Sequence, residues 1–335
     1  MNICVVKVTN QDDATHPLAS LCGPWYWTIK EWCNKYNHSI SYWGIRHLLN
    51  QRRSDYNNNN IKNADLIFLV TDRHYRVINE TFQPAALNNI NRKVEILKEL
   101  FEGKTVIVLS NEVADTPELF KQHVFTSENI NLKYVLESDF DYTIQTLRYH
   151  FFKNYHKESF FLYDRSYKFG YWGSSKSLNN DGTKSDDKRA EIVRDIRKKL
   201  KKDSLIMGGI VSKPDRKYRN DNRLIYNDFA TIKTTLCFVW PGREKYLTSR
   251  FQESIATGIF PLVWENFDST NSVVKNKWLR CFSSEEALDK IDYLNEKEKF
   301  RNDMVNFLME EFEKNTPPMN HYVDAFEERI KKLLK

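Results

Sequence analysis

Several common features are missing from this chain of 335 residues. It has no apolar run near the roughly 20 residues that span a bilayer. Its first residues, Met-Asn-Ile-Cys-Val-Val-Lys-Val, are too short and strand-like for a secretory signal. The five cysteines are scattered, without metal-ligand spacing, as is typical of reduced thiols in a cytosolic protein. We therefore expect no membrane span, no disulfide framework and no metal site.

The familiar nucleotide and hydrolase motifs are also missing. There is no Gly-x-x-x-x-Gly-Lys-Ser/Thr loop and no Gly-x-Gly-x-x-Gly after the first strand. There is also no Gly-x-Ser-x-Gly elbow. These absences exclude a P-loop enzyme and argue against a dinucleotide oxidoreductase or a serine hydrolase of that type.

The composition is that of a globular protein with a mild basic excess. Hydrophobic residues make up 41% of the chain and aromatic residues 14%, enough for the cores of two domains. The net charge of +6 is not by itself typical of nucleic-acid binding. Basic residues nevertheless cluster at Lys198, Lys199, Lys201 and Lys202, at Lys213, Arg216, Lys217, Arg219 and Arg223, and at Arg52 and Arg53. Such clusters are either solvated faces or a surface for a phosphate backbone.

Buried strands alternate with helices along the first half. The pattern predicts strands at 2–8, 39–43, 65–70, 105–109 and 132–136, helices at 86–101 and 142–152, and a loop at the asparagine tract 57–60. This alternation is typical of a parallel sheet covered by helices on both faces.

A second α/β series follows residue 155. Strands are predicted at 160–163, 169–172, 205–211, 234–240, 259–264 and 278–282, and helices at 188–200, 226–232, 284–294, 296–312 and 321–334. Ligands of such sheets bind beyond the carboxyl ends of the strands, and a cleft between two domains is the default pocket.

The stretch 248–265 predicts a short helix followed by a buried strand. Thr248 or Ser249 can cap the helix, and Gly258 suits its end. Arg250 and Glu253 project from one face of the first turn, where a helix N-terminus attracts anions. The pair suits a sugar diphosphate, with a surface ion pair as the alternative interpretation.

Four segments of the second half together resemble a known family. They are Gly-Ser-Ser-Lys at 173–176, Lys-Arg-Ala-Glu at 188–191, Ser-Arg-Phe-Gln-Glu at 249–253 and Gly-Ile-Phe-Pro-Leu-Val-Trp at 258–264. They are similar to segments of the DNA glucosyltransferases of the T-even bacteriophages, over about residues 165–315. The resemblance implies the GT-B fold, with two Rossmann-like domains facing each other across a cleft and a UDP-sugar bound mainly by the second.

The resemblance also implies roles for individual residues. The UDP-sugar donor site would comprise Gly173, Ser174, Lys176, Arg189, Arg250 and Glu253, with Glu253 on the ribose and the basic residues on the diphosphate. Lys176 replaces an arginine of the family and lacks its bidentate fork. The family's catalytic aspartate corresponds in pattern to Glu112, our expected general base, with Asp115 as the first alternative and Asp72 and Asp13 behind it.

The DNA acceptor that the resemblance implies would contact two aromatic residues and one basic cluster. Trp25 and Trp27 would stack on a base turned out of the duplex, or else pack in the core of the first helix. DNA phosphates would be contacted by Lys213, Arg216, Lys217 and Arg219.

The sequence thus predicts an α/β protein of GT-B architecture. Its parts would be an acceptor domain at 1–155, a donor domain at 156–315 and a C-terminal helix at 316–335 that packs back on the first domain. We expect transfer of glucose, or a pentose such as arabinose, from a UDP-sugar to a 5-hydroxymethyl pyrimidine in double-stranded phage DNA. The alternatives are a GT-B transferase with a glycan, lipid-linked or protein acceptor, and a DNA-binding protein without activity.

Further expectations concern the setting of the reaction. We expect a monomer in the cytoplasm of the infected host, without membrane attachment or a tightly bound cofactor, and with a divalent metal at most stimulatory. The sequence leaves open which sugar is transferred. It also leaves open whether the anomeric configuration is retained or inverted, because the chain resembles both the inverting β-enzyme and the retaining α-enzyme of the family.

Overall fold

The structure is a computed structural model. It describes residues 1–7, 23–48, 51–55, 57–70, 96–109, 129–135, 139–140, 149–150, 153, 165–173, 177–178, 184–185, 188–207, 215, 228–238, 248–265 and 276–335. The chain divides into two compact units. Unit 1 comprises Met1–Leu147 with Pro318–Lys335, and unit 2 comprises Arg148–Pro317.

Unit 1 contains a six-stranded sheet in the order β3-β2-β1-β4-β5-β6. The strands are β1 (Asn2–Lys7), β2 (Ser39–Leu48), β3 (Gln51–Asp55), β4 (Leu66–Val70), β5 (Thr105–Leu109) and β6 (Asn131–Val135). Neighbouring strands are parallel except for β2 and β3, which pair antiparallel. The predicted strand at 39–43 therefore continues into a hairpin that the sequence pattern did not indicate.

Helices cover both faces of this sheet. Alternate residues of β1 point to opposite sides, so Ile3 and Val5 join one core cluster and Cys4 and Val6 the other. Helix α1 (Gly23–Lys35) and the C-terminal helix (Met319–Leu334) contribute to the first cluster, and helix α2 (Asn58–Lys62) and helical residues 96–101 to the second.

The C-terminal helix is joined to α1 by a buried hydrogen bond. Trp32 Nε1 donates to Glu327 Oε2 over 2.6 Å. Phe326, fully buried, packs with its ring centroid 5.7 Å from that of Trp32 and 5.6 Å from that of Phe68. The last helix of the chain is therefore part of the core of unit 1, although all of unit 2 separates it in sequence from the rest.

The prediction of a loop at the asparagine tract 57–60 is wrong. Asn57 is the N-cap of α2, and its side-chain oxygen accepts from the Asn59 backbone N–H over 3.1 Å. Ile61 is fully buried against the sheet and anchors the helix. Asparagine is a poor interior residue but a strong cap, and this short helix is held by the cap, by the buried isoleucine and by hydrogen bonds of two further asparagines with β2.

Unit 2 contains a five-stranded sheet in the order β10-β7-β11-β12-β13. The strands are β7 (Tyr167–Trp172), β10 (Ser204–Met207), β11 (Ile232–Cys237), β12 (Phe260–Trp264) and β13 (Arg280–Cys281), all parallel to their neighbours. Two short strands, β8 (Ser177–Leu178) and β9 (Lys184–Ser185), pair antiparallel between β7 and the next helix.

Four helices of unit 2 have described bounds: α3 (Lys188–Leu200), α4 (Ser249–Ala256), α5 (Ser284–Glu296) and α6 (Glu298–Asn315). Short 3-10 turns occupy Lys201–Asp203 and Lys277–Leu279.

Four described cysteines, Cys4, Cys33, Cys237 and Cys281, are buried free thiols. In the described part of the chain, no helix is both long and apolar enough to cross a membrane.

Candidate functional site

The candidate site lies at the carboxyl edge of the sheet in unit 2. Strand β7 ends at Trp172 and the parallel strand β11 ends at Cys237. The chain leaves β11 at that edge and enters α4 before returning through β12, so the N-terminus of α4 lies near the same edge. Ligands of parallel α/β sheets bind at this edge.

Helix α4 begins without a side-chain cap. The Thr248 carbonyl accepts from the backbone N–H groups of Phe251 and Gln252, over 3.0 and 3.4 Å, but the Thr248 hydroxyl caps none of them. That hydroxyl is buried and has no hydrogen-bond partner among the described residues, and the first turn carries no acidic residue. The helix dipole and the early N–H groups therefore face no competing negative charge from this turn, which suits an anion.

The other end of α4 is fixed by its own turn and by a buried arginine. Gly258 has φ +75°, and the Ile259 N–H donates to the Ser254 carbonyl over 2.9 Å, which closes the helix. Arg165 Nη2 donates to the Thr257 carbonyl over 2.7 Å. Burial, followed by the charge of Arg301, lowers the pKa of Arg165 to about 10, so this guanidinium stays protonated at neutral pH.

Arg250 folds back from the first turn of α4 onto the end of β7. Its Nη2 donates to the Trp172 carbonyl, and its Cζ lies 4.2 Å from the centre of the Tyr171 ring. Its Nε is buried and has no hydrogen-bond partner in the described part of the chain. A guanidinium stacked on an aromatic ring keeps its planar orientation, and Arg250 retains donors beyond the one used by Trp172.

Glu253 lies one turn further along α4 and is only 5% exposed. Its Oε2 accepts from the indole Nε1 of Trp172 over 3.1 Å. Cys237 lies close to both charged groups, and burial raises the pKa of its thiol to about 12, with Arg250 opposing and Glu253 reinforcing the shift. The thiol therefore stays protonated at neutral pH. A carboxylate as buried as that of Glu253 does not form the solvent-exposed ion pair that was the alternative interpretation.

Gly173 makes the close approach of Arg250 possible. It follows Trp172 directly, has φ +155°, and its N–H donates to the Met207 carbonyl over 3.2 Å. A Cβ at this position would lie 2.8 Å from Arg250 Nη2. The glycine of the predicted Gly-Ser loop is thus required by the packing of the arginine of the predicted helix.

The structure brings three of the predicted donor residues together: Gly173, Arg250 and Glu253 meet around Trp172. Arg189 is the second residue of α3 and is half-buried. Ser174, Lys176, Glu112, Asp115, Lys213, Arg216, Lys217 and Arg219 lie outside the described residues.

The two tryptophans predicted to face the acceptor are core residues of unit 1. Trp25 is 1% exposed, with its ring centroid 6.1 Å from each of those of Phe140 and Phe326, and Trp27 is 4% exposed. Contact with an extruded base would require these rings to leave the core. The stacking role stays a prediction, with core packing as the arrangement observed.

Tyr171 and Trp172 belong to the candidate site although the sequence pattern did not indicate them. Both were assigned only to a strand, yet Tyr171 stacks on Arg250 and Trp172 contacts Arg250 and Glu253. The available signal was an aromatic pair directly before the glycine of a candidate phosphate loop, at the carboxyl end of a strand.

Chemically, the site combines a cation, a buried carboxylate and the N-terminus of a helix. The cation and helix end suit an anion, and the carboxylate can accept hydrogen bonds from hydroxyl groups. Among the described residues, no group of three or more His, Cys, Asp or Glu could hold a metal ion. The arrangement fits a ligand that carries phosphate and hydroxyl groups side by side.

Two α/β units, each with a largely parallel sheet, and a site at the carboxyl edge of the second sheet define the GT-B class of fold. The chain is similar in structure to the DNA modifying enzyme β-glucosyltransferase, with a TM-score of 0.61 at 10% identity over 99% of this chain and 100% of that one. It is also similar to the T4 phage enzyme in complex with UDP and Mn2+, with a TM-score of 0.61, 12% identity and coverage of 98% and 99%.

A mutant of the T4 phage enzyme in complex with UDP-glucose gives a TM-score of 0.62 at 13% identity, over 98% of this chain and 99% of that one. No protein-family model and no curated protein matches the sequence. The likeness establishes the fold, and it confirms the resemblance to the T-even phage glucosyltransferases that a few short segments indicated.

Proposed function

We propose that this protein is a glycosyltransferase that uses a UDP-sugar as donor. The observation that carries the proposal is the cluster at the end of β7, where Arg250 and Glu253 of α4 both contact Trp172. The cluster lies at the N-terminus of a helix in a chain whose fold is that of an enzyme known in complex with UDP-glucose. Phosphate and ribose are the parts of a UDP-sugar that such a cluster would bind.

In this proposal the donor is held by charge and by hydroxyl recognition. Arg250 and the first turn of α4 would bind the diphosphate, together with Arg189 of α3 and Lys176. Glu253 would accept hydrogen bonds from the ribose. As the bond from the anomeric carbon to the diphosphate breaks, negative charge develops on the leaving UDP, and fixed cations there lower the barrier.

The acceptor we propose is a 5-hydroxymethyl pyrimidine in double-stranded DNA. Its hydroxyl oxygen would form the new bond to the anomeric carbon, its proton would pass to the carboxylate of Glu112 or of Asp115, and UDP would leave. The support is the DNA modifying activity named for the similar structure and the basic clusters of this chain, Lys213, Arg216, Lys217 and Arg219 included. Glucose is the first donor sugar to test and arabinose the second.

The deciding experiment incubates the protein with hydroxymethylated DNA and a panel of UDP-sugars. Mass spectrometry of the digested nucleosides would show a mass increase equal to one sugar residue, and unmodified DNA would show none. Release of UDP without a modified nucleoside would point to hydrolysis or a different acceptor. UDP binding without transfer to any tested DNA would contradict the proposed acceptor while leaving the donor site intact.

Salt dependence separates DNA from the alternative acceptors. Each phosphate contact releases counterions, so transfer to DNA should fall steeply with salt, whereas transfer to a glycan should change little. A Glu112→Ala variant should bind UDP-sugar normally and lose transfer. A chain that binds DNA but neither binds UDP nor transfers sugar would instead be the DNA-binding protein without activity.

A further inference from the structure

Trp172 makes a different contact with each of the two charged residues of the candidate site. Its backbone carbonyl accepts from Arg250 Nη2, and its indole Nε1 donates to Glu253 Oε2 over 3.1 Å. Of these two hydrogen bonds, only the one from the indole depends on the identity of the side chain. The Trp172 ring centre also lies 5.5 Å from Arg250 Cζ, so a substitution that keeps both the backbone and an aromatic ring separates the two hydrogen bonds.

The indole ring is itself held in place. Trp172 is 4% exposed, and its ring centroid lies 4.3 Å from that of Phe229, with a tilt of 42° between the planes. An indole N–H is a donor only, so its position dictates where a carboxylate oxygen sits. Glu253 is also buried, so its carboxylate is stable only in orientations in which its oxygens accept hydrogen bonds, and the indole N–H supplies one of these donors.

Fixing one carboxylate oxygen also fixes the other. The carboxylate is planar, so once burial places the Cγ–Cδ bond of Glu253, the contact between Trp172 Nε1 and Oε2 fixes the rotation about that bond and thereby the direction of Oε1. Hydrogen-bond recognition of a hydroxyl is selective only when the acceptor is held in position before binding.

We propose that Trp172 is a positioning residue that gives the donor site its selectivity for the ribose hydroxyls. It acts through Glu253 and contacts no hydroxyl itself. This inference rests on the proposed function, in which Glu253 accepts from the ribose of a uridine diphosphate. Without the indole N–H, Glu253 loses its fixed orientation and the site distinguishes ribose from deoxyribose less well.

The test measures binding of UDP, 2′-deoxy-UDP and 3′-deoxy-UDP to the full chain by calorimetry. The wild-type protein should bind UDP more tightly than at least one deoxy analogue. Trp172→Phe keeps the backbone carbonyl and an aromatic ring but removes the N–H. We expect this variant to bind UDP about tenfold more weakly, because the loss of one hydrogen bond to a charged group changes affinity by about that factor. Its affinity for the deoxy analogue that the wild-type protein binds more weakly should stay almost unchanged.

A double-mutant cycle shows whether Trp172 acts through Glu253. If it does, Trp172→Phe should weaken UDP binding in the wild-type background and add little in a Glu253→Gln background. Trp278→Phe is the matched control, because it removes an indole elsewhere in unit 2 and should leave the discrimination between nucleotides unchanged. Circular dichroism and the melting temperature would confirm that each variant is folded.

Each other outcome overturns the inference. Equal loss of affinity for all three nucleotides in Trp172→Phe would assign the indole a general structural role. Additive effects in the cycle would show that Trp172 does not act through Glu253. A wild-type protein that binds no UDP would overturn the proposed function together with this inference, whereas normal UDP binding by Trp172→Phe would overturn the inference alone.

Discussion

Replacing Gly173 by alanine should weaken nucleotide binding without unfolding the protein. The new Cβ would lie 2.8 Å from Arg250 Nη2 and 3.3 Å from Tyr171 Cε1, and real Cβ atoms essentially never come within 3.0 Å of another heavy atom. The obstructing atom is the end of a flexible side chain, so we expect the Arg250 guanidinium to move and the backbone to stay. Arg250 would then leave the Trp172 carbonyl and its place over the Tyr171 ring.

Two separate contributions make up the expected effect. Alanine at φ +155° adopts an unfavourable backbone conformation, which costs on the order of 1–3 kcal/mol of folding stability. Displacing the guanidinium removes a hydrogen bond of a charged group from the bound state, about 1.5–3 kcal/mol. The second contribution corresponds to UDP affinity lower by about tenfold to a hundredfold.

Gly103 provides the matched control. It also has a positive φ, +70°, but a Cβ there would meet nothing within 4 Å. Gly103→Ala should therefore lower the melting temperature through backbone strain and leave UDP binding unchanged. Calorimetric titration of both variants with UDP would test the reasoning. Wild-type affinity in Gly173→Ala, or an equal loss in Gly103→Ala, would refute the assignment of Arg250 to the diphosphate.

Three further predictions concern stability. Arg165→Met leaves three backbone carbonyls without their buried donor, so the free energy of unfolding in urea should fall by about 3 kcal/mol. Burial raises the pKa of Glu313, but hydrogen bonds from Lys153 and a tyrosine hydroxyl outweigh it and hold the pKa below its usual value. The melting-temperature deficit of Glu313→Gln should therefore be greatest near neutral pH and shrink as pH falls through that lowered pKa. Gly170→Ala places a Cβ 2.3 Å from the Ile232 side chain and should lower the urea midpoint through overpacking, by about 1–3 kcal/mol.

The regular elements could be predicted where one local signal dominates. Helix α3 spans Lys188–Leu200 and strand β5 spans Thr105–Leu109, the bounds expected from amphipathic spacing and from a short apolar run. The hairpin of β2 and β3 could not be predicted in this way. Strand β3 has the sequence Gln-Arg-Arg-Ser-Asp and so contains no apolar residue that would mark it as a strand. Its backbone pairs antiparallel with that of β2.

The candidate site also has a part that could be predicted, the residues close together in sequence, and a part that could not, the contacts between residues far apart in sequence. Arg250 and Glu253 could be predicted as a pair because three residues of helix place them on one face. Their contacts with Trp172 span 78 and 81 residues and depend on two parallel strands ending at the same edge of a sheet. Helical spacing indicates a charged pair but not whether it is exposed. Here the strand end buries the carboxylate and orients it, and the tryptophan that contacts both side chains joins the arginine and the glutamate in one candidate site.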